Sequence, residues 1–595
     1  MFVGCVALAT SCDLTENVQV KADKSMIFGS KSGLELYSNS FYKALPTLKN
    51  GFMQDKMCDV GAVSNTDTFI KQGAYNTETA TSWSWGALKN INYFIDGCND
   101  PKYCTVDDNT RDNYLGIARW FRAWFYYDKL TTYGEVPWFP HDIQSYQNDV
   151  MYKNRDSRDV IIRNLIADLD FAYEHIQATS STGSSTLTRW AAAALKSRVC
   201  LFEAAYRRYH NLTGLEITPE ELYREAAKAA KLVIDNSGCS LNTATGKKGA
   251  YRDLFYNETP LTQEVILAVC ANEKSGIFGE QNWWFNARSY GLCWSLVRSF
   301  VHTYLKLDGT PFTDAADYAV KSFTEEMEGR DLRLEQTVRG RNFLWDGKTA
   351  VADIKNLSLT GYQVIKYTLD ESKYDGGAKN INSIPLIRYA EVLLNYAEAQ
   401  AELGIITDSE WALTVGALRK RAGITGGTET LPTTVDGYLQ RTFYPDVTSP
   451  VLLEIRRERA IELVAEGMRF DDLRRWKCGS LMETLPWSGI HIPGLEQPVD
   501  VNGDGVDDYY FTEGEVTAAL AAYRNIAIRV NQDGVGLYAE ANAVAGYDLV
   551  YKTGAGDRYW YPDGRQYLYP IPAKVIRDYK NAGYTISQNP YWDNE

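Results

Sequence analysis

Two stretches of the chain hold residue types at spacings that suit chemistry. In "DVNGDGVDD" (500–508), Asp500, Asn502, Asp504 and Asp508 offer side-chain oxygens, Gly505 a turn and Val506 a backbone carbonyl. These fall on positions 1, 3, 5, 9, 6 and 7 of a calcium loop. Position 12 is Phe511, so a bidentate carboxylate must come from elsewhere or be absent. The spacing predicts either a structural calcium ion, with no cofactor otherwise required, or an Asx-rich turn. The second stretch is charged: Glu454, Arg457, Glu458, Arg459, Glu462 and Glu466, followed by Arg469, Asp471, Asp472, Arg474 and Arg475. Their helical spacing permits ion pairs, and structural pairing is a far commoner use of such a pattern than an acid–base couple. No G-x-S-x-G, H-E-x-x-H, P-loop or dinucleotide-binding fingerprint occurs, and the five histidines are scattered. A glycosidase stays open on this evidence, because its two carboxylates need no fixed spacing.

The cysteines point to no cluster. None forms C-x-x-C, and only "CNDPKYC" (98–104) is placed to close a small disulfide loop. The first twelve residues, "MFVGCVALATSC", are apolar and put Ala9, Thr10 and Ser11 before Cys12, after which the chain turns polar. This reads as the remnant of a bacterial lipoprotein signal (1–12), with Cys12 as the lipidated residue anchoring a body that does not span the bilayer. The net charge of −14 and the lack of any basic run argue against nucleic acid as a partner.

At 595 residues the chain has room for two to four domains or one large fold of repeated units. Aromatics reach 13%, with 40 tyrosines. In "WFRAWFYYDKLTTYGEVPWFPHD" (120–142) they could be a binding surface or packed core. Tyr114, Ile117, Phe121 and Trp124 recur at three- and four-residue steps, which predicts a buried helical stripe ended by Gly134 and Pro137. Further helices are predicted over 156–178, 188–209, 219–235, 388–404 and 409–423. The small-residue pairs among them resemble tetratricopeptide repeats. Between them, about 236–383 and 480–570, the composition predicts long loops with short strands such as 264–269 and 525–530.

Four ordered motifs then carry a resemblance: "YLGIARWFRAWFYYDKLTTYGEVPWF", "IPLIRYAEVLLNYAEAQAELG", "LLEIRRERAIELVAEGMRFDDLRRW" and "YLYPIPAKVIRDYKNAGYTISQNPYW". In this order they resemble the SusD/RagB family of nutrient-binding outer-membrane lipoproteins of Bacteroidetes. "WSWGALKNINYFID" (83–96) is similar to the family's early helix, with Asn92 in its asparagine place. The resemblance implies a mainly α fold of four tetratricopeptide-like hairpins overlaid by a loop-rich half. It makes 13–595 one body, with an N-terminal part to about 235 and a C-terminal part from about 236. It further implies a non-enzymatic, cell-surface protein that binds an oligosaccharide, or less often a peptide, and passes it to a SusC-like TonB-dependent transporter.

Sugar rings stack their C–H faces on aromatic rings and need polar groups at the rim. Candidates for that work are Asp59, Asn65, Asp67, Trp83 and Trp85 early in the chain, then Trp283, Trp284, Asn286, Arg288 and Tyr290, and finally Tyr362. The Trp283–Trp284 doublet is the leading individual expectation, and the region near Trp83 is the one the resemblance favours.

Overall fold

The computed structural model of the chain describes residues 24–287, 289–552 and 557–593. Cys12 and Arg288 lie outside the described residues. The fold is mainly α. Helices α1 (Gly86–Cys98) and α2 (Asp108–Tyr133) form a first packed pair, and α3 (Arg158–His175) and α4 (Arg189–Tyr209) a second. Helix α5 (Pro219–Asn236) packs on α6 (Tyr389–Glu402) although about 150 residues intervene. After α7 (Asp408–Leu413), α8 (Val415–Arg421) meets α9 (Pro450–Glu462) as the fourth pair. Two short helices complete the frame, α10 (Arg469–Arg475) and α11 (Ala573–Asn581).

Local sequence explains these bounds. Asp107, Ser157 and Thr218 cap α2, α3 and α5, accepting from backbone amides of their first turns, and Pro219 occupies the first helical position of α5. Helix α2 stops because Gly134 takes φ +74°. In α4, Ala191 to Ala194 are all buried, so the neighbouring helices approach closely. The predicted stripe of α2 is only partly interior: Tyr114 and Phe121 are buried, whereas Ile117 and Trp124 are half-buried. The predicted helix 409–423 is broken at Thr414, whose hydroxyl donates to the Glu410 carbonyl at 2.6 Å.

The loop-rich half is built on small sheets. Strand β1 (Val265–Val269) pairs antiparallel with β2 (Ile384–Arg388), the strand that leads into α6. Strands β3 (Ser488–Ile492), β7 (Leu537–Ala541) and β8 (Tyr547–Tyr551) form one sheet in the order β7–β8–β3. Strands β4 (Pro498–Val499), β5 (Tyr509–Thr512) and β6 (Ala527–Arg529) form another in the order β6–β5–β4. This half has its own apolar core, including Phe52, Tyr251, Phe255, Trp284, Trp294, Tyr362 and Trp487.

A buried lattice of ions joins the halves. Glu462, on α9, receives Arg333 (2.9 Å), Arg388 (3.0 Å) and Arg421. Arg388 also reaches Glu264 (2.8 Å) and Glu466 (2.7 Å), and Lys366 reaches Glu466 (2.7 Å). Arg459 and Arg475 clasp Asp472, and Arg475 also holds Glu398. All of these residues are buried except Glu466, which is half-buried. The charged run at 454–475 is therefore scaffold. Between α9 and α10 the chain turns through Ala465 (φ +63°) and Gly467 (φ +81°), and the buried Asp55 carboxylate accepts from the amides of Gly467 (3.0 Å) and Arg469 (3.3 Å).

Removing one ion of such a lattice leaves its partners buried and uncompensated, at a cost of about 3–5 kcal/mol. Glu462→Gln is expected to lower unfolding stability by that order in urea titration, whereas the exposed Glu540→Gln changes it by less than about 0.5 kcal/mol. The lattice also sets an acid limit. Arg421, Arg388 and Arg333 overcome desolvation and hold Glu462 well below the usual carboxylate range, and arginines lower Glu398 and Asp472 likewise. Their stabilisation is complete above the unfolded carboxylate pKa and is lost as pH falls through the folded values. A thermal-melt series is expected to show the melting temperature falling steeply below about pH 4.

Candidate functional site

A cleft of about 1270 Å³ opens where the segment before α1 meets the loop after α2 and helix α11. Two indoles, Trp83 and Trp85, form its aromatic wall. They meet edge to face at 5.3 Å between centroids, and both are half-buried. Trp83 leans on Tyr133 (4.9 Å), and Trp85 packs on Phe139 (5.2 Å), Phe125 (5.7 Å) and Tyr126 (6.1 Å), while both line the cleft. Leu88, Phe139, Met151, Tyr152, Pro572 and Val575 continue the apolar lining.

A latch of polar bonds holds this shape. The Asn92 amide, buried on α1, donates to the carbonyls of Phe139 (2.7 Å) and His141 (3.1 Å). Arg122 donates to the Pro140 carbonyl (3.1 Å). The Tyr126 hydroxyl accepts from the Phe139 amide (2.7 Å) and donates to the Pro137 carbonyl (3.2 Å). Asp96 accepts from the Asp142 amide and pairs with His141 Nδ1, both at 2.8 Å. On the opposite wall, the Ala573 amide donates to the Thr77 carbonyl (2.9 Å), which pins the start of α11 beside the tryptophans.

The rim is charged but compensated. Lys89 pairs with Asp142 (2.7 Å), Lys574 with Asp578 (2.6 Å) and Arg577 with Glu78 (2.6 Å). The hydrogen bond from Arg577 holds Glu78 below its ordinary pKa. The arrangement offers aromatic faces over an apolar floor with donors and acceptors around the mouth. Both carboxylates of the lining, Glu78 and Asp578, are paired with a base.

The sequence-predicted residues scatter. Trp83 and Trp85 come together in the cleft. Asn65 and Asp67 lie outside its lining: Asp67 caps the turn at 68–70 by accepting from the Phe69 amide (3.0 Å), and Asn65 accepts from Lys71 (3.4 Å). Asp59 is wholly buried under a two-pronged pair with Arg469 at 2.7 Å, so it is closed to a ligand. Tyr362 is likewise core, and its hydroxyl donates to Glu326 (2.6 Å). The doublet divides: Trp284 is core against Phe52, whereas Trp283 stacks on Tyr290 at 4.1 Å and covers Gly377. Tyr290 donates to Glu280 (3.0 Å), and Asn286 bridges Asp375 and Gln363. These residues tie the 281–290 segment to its neighbours. The residues that sequence reading passed over are Lys89, His141, Tyr152 and the α11 residues Lys574, Arg577 and Asn581. A signal existed in the helix "AKVIRDYKN" (573–581), where only Tyr579 is buried and most of the helix surface is left for other use.

The loop at 500–508 folds as an Asx-rich turn. Asp500 accepts from the amides of Gly503 and Gly505 (2.7 Å each), Asn502 from Asp504 (3.0 Å), Asp504 from Val506 (2.9 Å), and Asp508 from Val501 (2.9 Å). Among the described residues no three acidic, histidine or cysteine side chains converge to hold a metal ion. Cys98 and Cys104 are both free thiols.

Compared with known proteins, residues 263–592 match the model of the SusD family. The chain belongs to that family. A curated relative, a SusD-like protein of Formosa agariphila, is 25% identical over 380 residues, which cover 61% of this chain and 66% of the relative's length. Among solved structures, a SusD-like carbohydrate-binding protein of Bacteroides fragilis superposes with a TM-score of 0.66 at 19% identity, covering 94% of this chain and 99% of that one. A second SusD-like protein of the same species gives 0.64 at 20% identity, covering 96% and 98%. These structures share the fold.

Because the loop carboxylates of 500–508 already cap backbone amides, a chelator is expected to leave the melting temperature unchanged within about 1 °C. A larger fall, restored by calcium, would contradict the turn as described.

Proposed function

We propose that this SusD-family protein captures an oligosaccharide in the Trp83–Trp85 cleft, without covalent chemistry, and delivers it to a SusC-like TonB-dependent transporter. In this reading Cys12 carries a lipid that anchors the body at the outer-membrane surface. Among the described residues no helix is long and apolar enough to cross a membrane, so attachment would fall to such an anchor. The observation that carries the reading is the pair of half-buried indoles at 5.3 Å, walled by apolar side chains and rimmed by hydrogen-bonding groups. Carbohydrate binding by a solved relative of the same fold adds support.

A peptide ligand suits this cleft less well. Extended peptides gain much of their affinity by adding to a sheet edge, and the cleft is lined by helices and loops alone. Catalysis is disfavoured because the lining carboxylates, Glu78 and Asp578, are spent on Arg577 and Lys574. Affinity is expected in the range of roughly micromolar to millimolar, since each stacking contact contributes about 1 kcal/mol and association entropy opposes binding.

Trp83→Ala and Trp85→Ala are each expected to weaken glycan retention at least roughly fivefold in affinity electrophoresis or calorimetry, with an unchanged circular-dichroism spectrum. Trp283→Ala is expected to bind as the parent does. Retention untouched by either cleft substitution would sink the site, and release of reducing ends from the glycan would sink the non-enzymatic reading.

A further inference from the structure

A second cleft of about 460 Å³ lies in the loop-rich half, between the 354–359 segment and strands β6 and β7. Its floor is apolar: Ile354, Ile528, Leu537 and Tyr551 are buried there, with Leu359 half-buried beside them. The charged side chains of its lining are Lys355, Arg524 and Arg529. All three are exposed, and among the described residues no carboxylate lines the cleft. Among the described residues none of the three forms an ion pair; Arg529 donates only to the neutral Gln532 amide (2.6 Å). The acid nearest Lys355 in sequence, Asp353, is occupied by the backbone and side-chain amides of Asn356 at 3.0 to 3.2 Å.

This differs in kind from the rim of the tryptophan cleft, where lysine and arginine are matched by acids. In a chain of net charge −14, three uncompensated cations around one concavity create a local positive potential against the overall field. Two of them are arginines, whose planar fork fits a carboxylate or sulfate with two parallel hydrogen bonds. The apolar floor suits the C–H face of a sugar ring, and the volume lies within the roughly 300–1000 Å³ of small-ligand sites. We infer that this cleft is a second, independent site for an acidic saccharide, one bearing a carboxylate or sulfate group that Arg524, Arg529 and Lys355 engage while its ring rests on Ile528 and Leu537. The inference does not depend on what the tryptophan cleft binds.

The test is calorimetry on the full chain with a glucuronate-containing disaccharide, a sulfated disaccharide and inorganic sulfate, alongside two variants. Because both arginines are exposed, Arg524→Gln/Arg529→Gln is expected to melt as the parent does while losing at least roughly tenfold in affinity for whichever acidic disaccharide binds. Trp85→Ala is expected to retain that affinity, and added salt to weaken it. The two disaccharides distinguish carboxylate from sulfate as the anion recognised. Unchanged affinity in the arginine variant, loss in the Trp85 variant, or inorganic sulfate binding as tightly as the disaccharide would each overturn the assignment.

Discussion

The structure depends on a carboxylate surrounded by arginines. Glu462 sits wholly buried on α9 and is reached by Arg333 from the loop-rich half, Arg388 at the end of β2 and Arg421 on α8. A lone buried charge is intolerable in a low-dielectric interior, so each member requires the others to be in place. That mutual requirement fixes the loop-rich half on the helices where apolar packing alone would permit sliding. Burial still costs: Lys366 is pushed down to about 8, chiefly by desolvation, with Glu466 opposing, and Asp55 is pushed up to about 7 although two amides bond to it. Neither shift places these groups near a ligand; they mark how dry the seam between the halves is.

The tryptophan cleft stands apart from this seam. Its walls come from the start of α1, the loop after α2 and α11, and short polar bonds from Asn92, Asp96, Arg122 and Tyr126 hold them. The side chains at its mouth bear little of that load, since Lys89, Lys574 and Arg577 are exposed pairs of the kind that contribute about 0–1 kcal/mol. Frame and recognition surface are thus energetically separable. The same fold persists in solved proteins at 19–20% identity, as expected if buried partners constrain it and the rim does not.

How much of this was legible in the sequence follows from what periodicity can report. Long helices with one apolar stripe announce themselves, and α2 to α6 fall within a few residues of their predicted bounds. Helix breaks such as Thr414 do not, because a close approach decides them: a Cβ on Gly416 would meet the Thr428 carbonyl at 2.0 Å. The rings of the loop-rich half were harder. Tyr362 lies in a segment without regular structure and Trp284 in a six-residue helix too short to show an apolar stripe, which invites reading both as exposed, but that half has a core of its own and both rings fill it. Asp59 was misleading for a related reason. A carboxylate in an irregular segment has no visible partner until the chain brings Arg469 from about 410 residues away. Lys574 and Arg577 went unnoticed because their place in the cleft is set by Thr77 and Glu78, at the far end of the chain.

The distinction between the two sets of tryptophans also decides what each can contribute to binding. Trp283 already stacks face to face on Tyr290, so a ligand would have to displace that contact to use the ring, forfeiting about as much as it gained. Trp83 and Trp85 meet edge to face at 75° and are half-buried, and Tyr133 behind the first and Phe139, Phe125 and Tyr126 around the second restrain both rings before any ligand arrives. Rings restrained in advance lose little rotamer freedom on association, and that loss is among the main penalties a weak, multi-ring ligand must overcome. Half-buried indoles restrained in this way are therefore the platform from which a ligand ring, under the proposed reading, would gain most per contact.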